Sequence, residues 1–163
     1  MKLSVVKVVV SGILLVCWFF MPNVGFFDGD TSSTAAVVGH FLYPFGHANV
    51  WHLSANVLCL LMIPCALHLG SSYFVSVVCS FLPCFISEST SGFSGVLFAV
   101  IGQSWGRVGR FRDMLWKNKW WLVIPIFIPH VNALLHIWCL LGGFLVGFLV
   151  RNNIAPHWAE DWI

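Results

Sequence analysis

The chain has 163 residues, of which 59% are hydrophobic, 16% aromatic and only 9% charged, with a net charge of +2. A soluble domain carries about 25% charged residues, so this composition cannot cover a water-facing surface and predicts a multi-pass integral membrane protein without a separate soluble domain. The small and scattered positive excess excludes a nucleic-acid-binding surface.

Polar punctuation divides the chain. The first apolar run, Ser4 to Met21, gives way at Pro22-Asn23 to a polar stretch from Phe27 to Thr34. Lys2 and Lys7 would suit the head of a signal peptide, but bulky Trp18-Phe19-Phe20-Met21 stands where a small-residue cleavage site is required. The second run extends from His47 to Leu69 and the third from Tyr73 to Ile86, with a polar turn at Ser87 to Ser91; Pro64 and Pro83 are predicted kinks. The fourth, Gly92 to Gly106, is short and glycine-rich, and leads into the most polar stretch, Arg107 to Lys119. The fifth, Trp120 to Val131, covers only about 18 Å of a roughly 30 Å hydrocarbon core and is broken by Pro125 and Pro129. It either starts earlier, near Met114, or fails to cross fully. The sixth, Asn132 to Val150, precedes a polar tail.

Six crossings place both termini on one side. All eight basic residues (Lys2, Lys7, Arg107, Arg110, Arg112, Lys117, Lys119, Arg151) fall on that side, which the positive-inside rule assigns to the cytoplasm, leaving Asp28, Asp30 and Glu88 outside. The expected organisation is therefore one six-helix domain over residues 1–150 and a short cytoplasmic tail over 151–163. The six cysteines (Cys17, Cys59, Cys65, Cys79, Cys84, Cys139) lie in apolar runs without a CxxC pair and are predicted to be free thiols. Most tryptophans, among them Trp51, Trp105, Trp116, Trp120, Trp121, Trp158 and Trp162, fall near run ends as an aromatic belt.

Polar side chains within hydrocarbon are costly and mark functional positions. Here they gather at the outer ends of three runs, within roughly 10 Å of depth: His47, His52 and Asn56 on the second, Gly92-Phe93-Ser94-Gly95 on the fourth, and Asn132 and His136 on the sixth. His52 and Asn56, four apart, share a helix face, whereas His47 points about 140° away and belongs to the helix start. Gly95, Ala99, Gly102 and Gly106 form a small-residue stripe, answered on the sixth run by Gly143 and Gly147; packing the two brings Ser94 toward His136, with Phe98 one turn below Ser94 able to cover the imidazole. A serine beside a neutral histidine suits nucleophilic acyl transfer, with His52, Asn56 and backbone N–H groups as oxyanion donors. The acidic residues lie in loops or on the other side, which predicts a Ser94–His136 dyad without a carboxylate. No His-Glu-x-x-His is present, so neither metal nor cofactor is expected. Ser71, Ser72 and Ser76 read as turn or packing residues, and His40, His68, His130 and His157, near run ends, as wet interfacial histidines.

Taken together, His47-x4-His52-x3-Asn56, Gly92-x-Ser94-Gly95 and His136 followed by Gly143 resemble the rhomboid intramembrane serine proteases in their minimal six-helix form. The resemblance implies an all-α membrane bundle with a short, partly buried fourth transmembrane helix. It also implies Ser94 as nucleophile, His136 as base, His52 and Asn56 as oxyanion support, and His47 as the first histidine of the second-helix motif. Phe98 matches the aromatic position that stacks on the catalytic histidine. The implied partners are single-pass transmembrane substrates, entering past the fifth transmembrane helix and cleaved near the outer face, and the lipid bilayer. The compact chain points to a bacterial inner membrane with cytoplasmic termini. A catalytically inactive rhomboid-like protein that binds membrane clients is the alternative. Three departures stand out: the first outer loop has no Trp-Arg pair; Cys139 occupies a usual glycine position, which predicts looser packing of the fourth and sixth transmembrane helices; and the fifth segment is short, which predicts a loose substrate gate.

Overall fold

A computed structural model describes residues 4–20, 33–63, 68–85, 90–109, 111–123 and 132–150. Asp28, Asp30, Pro64, Cys65, Glu88, Pro125, Pro129, His130, the tail over 151–163, and the basic residues Lys2, Arg110 and Arg151 lie outside the described residues. Among the described residues the elements are α1 (Val5–Phe20), α2 (Thr34–Leu42), α3 (Val50–Met62), α4 (Leu69–Ser80), α5 (Ser94–Val108), α6 (Phe111–Val123) and α7 (Ala133–Leu149). Short 3-10 turns at Tyr43–Phe45 and Pro83–Phe85 follow α2 and α4. The all-helical expectation is met. None of these helices is long and apolar enough to cross a membrane; α7, with 17 residues, spans about 25 Å.

The helices are inverted in polarity. On α1, Lys7, Ser11 and Leu14 face inward while Val5, Val9, Val16, Phe19 and Phe20 are exposed. On α4, Ser72, Ser76 and Ser80 follow one another at i, i+4 and i+8 on the buried face, with Phe74 and Val78 outside. A buried polar group needs a partner to offset its desolvation, and most of these have one, although Ser11 Oγ and Ser72 Oγ have none among the described residues. Lys7 Nζ donates to Leu61 O at 3.1 Å and to Ile63 O, so a lysine of α1 caps the last carbonyls of α3. Ser71 and Gln103 exchange hydrogen bonds of 3.0 and 3.1 Å between α4 and α5.

At the centre stands α5, buried on nearly every side, from Gly95 to Gly106. Its end is set by Gly109, whose φ of +70° is the left-handed conformation that closes a helix. The predicted small-residue stripe is its contact with α7. A methyl group added at Gly102 would run into Leu140 O and lie 2.8 Å from Phe144 N, and at Gly106 it would lie 2.7 Å from Phe148 N. From the other side, a methyl group added at Gly143 would lie 2.9 Å from the carbonyl carbon of Ala99, and one at Gly147 would lie 2.8 Å from that of Gln103. Such proximity replaces side-chain interdigitation by backbone contact, the way small residues bring helices together. Around this pair, Leu14, Leu53, Leu60, Val96, Leu97 and Val100 form one apolar cluster, and Trp105, Met114 and Leu140 another.

Several expectations are corrected. Cys139 does not loosen the α5–α7 contact: it is fully buried, its sulfur lying in the space left by Gly95 and 3.8 Å from Ser76 Oγ. The fourth apolar run is buried more completely than expected. The polar stretch after it is largely helical, since α6 starts at Phe111, before Met114. Helix α2, capped by Ser33 accepting from Ala36 N at 3.1 Å, occupies the interval between the first two runs. It packs over α4 and so buries His40 completely, where a wet histidine is predicted: His40 Nδ1 lies 2.9 Å from Ser80 Oγ, and its ring stacks on Phe81 at 4.0 Å. His68, just before α4, is buried as well. Trp105 is buried in the interior instead of joining the aromatic belt. Pro83 belongs to the turn that ends α4 and kinks no helix. All described cysteines are free thiols.

Because Gly102 touches backbone that cannot retreat, Gly102→Leu should lower the unfolding midpoint in detergent, a destabilisation of about 3 kcal/mol or more. Gly12→Ala, where an added methyl meets nothing within 4 Å, should leave it unchanged or raise it slightly.

Candidate active site

The segment before α5 is held from two sides. Gly92 adopts φ +116°, and its N–H donates to Tyr43 O at 2.9 Å, tying it to the turn after α2. A side chain here would be strained by φ and would collide with His52, whose Nε2 lies 2.7 Å from the position of an added methyl. On the other side, Asn132 caps α7 by accepting from Leu135 N at 3.0 Å, while its Nδ2 donates to Thr90 Oγ1 at 3.2 Å. One side chain therefore joins the entry to α5 with the start of α7.

These ties set two functional groups face to face. Ser94 is the first residue of α5, where backbone N–H groups have no partner within the helix. Ser94 Oγ lies 2.7 Å from His136 Nε2, one turn into α7. The imidazole stacks on Phe98 with centroids 4.5 Å apart and planes 4° from parallel, so packing fixes the ring that the serine meets. His136 Nδ1 is buried without a hydrogen-bond partner among the described residues. In the tautomer protonated at Nδ1, Nε2 can accept the serine proton, an arrangement chemically able to pair a base with a nucleophile.

From α3, His52 and Asn56 both abut Gly92: an added methyl there would lie 3.4 Å from Asn56 Nδ2. That amide nitrogen is buried without a partner among the described residues. Asn49 caps α3 by accepting from His52 N at 2.9 Å, which starts the helix so that His52 and Asn56 share the face toward Gly92. His47, buried just before α3, donates from Nδ1 to Phe45 O at 3.3 Å and meets the His52 ring edge-on at 5.3 Å, a support for His52 more than a participant. Gly95 lies against Ser76, Tyr43 and Cys139, and Gly143 belongs to the α5–α7 contact below.

Ser94, His136, His52, Gly92, Tyr43 and Asn132 thus border one narrow cleft of about 10 Å³, room for roughly a single water. Tyr43 and Thr90 are residues that the sequence leaves without a role, and Asn132 is singled out there only as a polar residue at the outer end of its run. Asn132 carries a readable signal, an N-cap side chain immediately before an apolar run. Tyr43 acts through its backbone carbonyl, which no sequence pattern reports.

The fold and site define a helical bundle that presents a serine–histidine pair at the paired N-termini of its two central helices. No family model matches the chain. It is similar to the RHOMBOID-like protein 7 of Arabidopsis thaliana, with 29% identity over 138 residues, covering 72% of this chain and 44% of that protein. The chain therefore matches less than half the length of this relative. The similarity supports a rhomboid-like assignment and leaves the activity to be argued from the site.

Gly92→Ala should cost stability, about 1–3 kcal/mol from backbone strain. Thermal unfolding in detergent checks this; a midpoint equal to that of the unsubstituted chain would contradict the role assigned to Gly92.

Proposed function

We propose that this chain is an intramembrane serine endopeptidase of the rhomboid type, working through a Ser94–His136 dyad. The observation that carries the proposal is the 2.7 Å contact between Ser94 Oγ and His136 Nε2, with the ring fixed by Phe98 and the amide of Asn56 beside Gly92. Ser94 Oγ attacks the scissile carbonyl carbon while its proton passes to His136 Nε2. The tetrahedral oxyanion is met by the N–H groups at the start of α5 and by His52 and Asn56. Collapse expels the amine, which takes the proton from His136 and leaves an acyl group on Ser94. Water, deprotonated by the same histidine, then releases the acid.

A membrane setting is supported by the inverted polarity of α1 and α4 and by large apolar side chains exposed on α1, α3, α4 and α7. The short helices call for a thinned bilayer around the protein. Residues 1–150 are the membrane domain in this proposal, with both ends cytoplasmic, the dyad near the outer face and single-pass membrane proteins as substrates.

Purified protein in liposomes, given a single-pass substrate, should cleave it, and Ser94→Ala should reduce the rate by about three orders of magnitude or more. Labelling of Ser94 by a fluorophosphonate probe should occur in the unsubstituted chain; an inert Ser94 and no cleavage would instead assign the chain to inactive client-binding proteins. Asn56→Ala should lower kcat by about 10²-fold or more if its amide serves the oxyanion, and an unchanged kcat would remove it from that role.

A further inference from the structure

Away from the dyad, α6 differs in kind from the other helices. Its sequence, FRDMLWKNKWWLV, places Arg112, Lys117 and Lys119 with one carboxylate, Asp113, in a single helix. Arg112, Trp116 and Lys119 follow one another at i, i+4 and i+7, and Asp113, Lys117 and Trp120 do the same on the adjoining face. Among its described side chains Met114 is the deeply buried one, against Trp105 and Leu140, while Trp116 and Trp120 are 72% and 63% exposed. Lys119 Nζ lies 3.6 Å above the Trp116 ring and 5.6 Å from that of Trp120, so a cation and two indoles share one surface. Beside them runs a groove of about 730 Å³ lined by Arg112, Asp113, Leu115, Trp116, Lys117 and Lys119.

From this we infer that the α6 groove binds the headgroup of an anionic phospholipid. Three cations against one carboxylate leave the groove net positive, which complements a phosphodiester and disfavours a neutral or cationic occupant. Exposed indoles beside lysines suit the level of the headgroups, where an amphipathic ring sits with one edge wet and one apolar. The volume is ample for a headgroup with its glycerol. A wholly soluble acidic partner would use the cations but gain little from two exposed tryptophans that flank them. The inference shares the membrane setting of the proposed function but uses no part of the Ser94 chemistry, so the two fail separately.

The test uses the full chain in neutral maltoside micelles, titrated with fluorescent phosphatidylglycerol and with phosphatidylcholine carrying the same acyl chains. Phosphatidylglycerol should bind at least tenfold tighter, and raising the salt concentration should erase the difference. Lys117→Gln with Lys119→Gln should weaken phosphatidylglycerol binding about thirtyfold and leave phosphatidylcholine unchanged. Replacing the same pair by arginine should retain binding, separating charge from folding. Equal binding of the two lipids, unchanged binding by the glutamine pair, loss of binding by the arginine pair, or displacement by inorganic phosphate or polyglutamate at equal affinity would each overturn the assignment.

Discussion

Backbone contact between α5 and α7 is the constraint on which the remainder of the molecule depends. Ser94 and His136 come from helices joined by a long connection, and neither would find the other without a fixed register between the two. Gly102, Gly106, Gly143 and Gly147 supply that register, because each allows one backbone to rest on the other. A slip of one helical turn moves a side chain by about 5.4 Å, twice the length of the hydrogen bond between serine and histidine. The glycines thus position the dyad although none of the four touches it.

The second organising feature is the reversal of inside and outside. Lys7, Ser71, Ser76 and Ser80 make specific polar contacts between elements, whereas Ser11 Oγ and Ser72 Oγ are buried without a hydrogen-bond partner among the described residues. Lys7 on the end of α3, Ser71 with Gln103, and Tyr43 with Ser76 each join different elements. The interior polar groups determine which helices meet, and the glycines determine how closely.

Much of this was legible in the sequence because it depended on periodicity. The glycine stripes, the shared face of His52 and Asn56, and the placing of Ser94, Phe98 and His136 all follow from 3.6 residues per turn. The sequence does not show the place of Cys139, because the space it fills is opened by Gly95 and Ser76, distant in sequence. The burial of His40 is hidden for a similar reason, since proximity to the end of an apolar run does not reveal that α2 folds back over α4. Helix α6 was obscured by its charges, which look like a loop to hydropathy but are compatible with helix formation. The ties through Tyr43 and Asn132 depend on backbone groups and on tertiary approach, and only the capping half of the Asn132 role is local.

The His40–Ser80 pair repeats the arrangement of Ser94 and His136. Both sites hold a serine against a histidine at hydrogen-bond distance with an aromatic ring stacked on the imidazole. They differ in what else meets the serine. Ser80 Oγ also lies 2.6 Å from Val77 O, a carbonyl of its own helix that can take its single hydrogen, and the pair is buried between α2 and α4. Ser94 stands at the start of α5 and borders the cleft. One fold therefore contains the same trio twice, once as a latch between helices and once where a water can reach it.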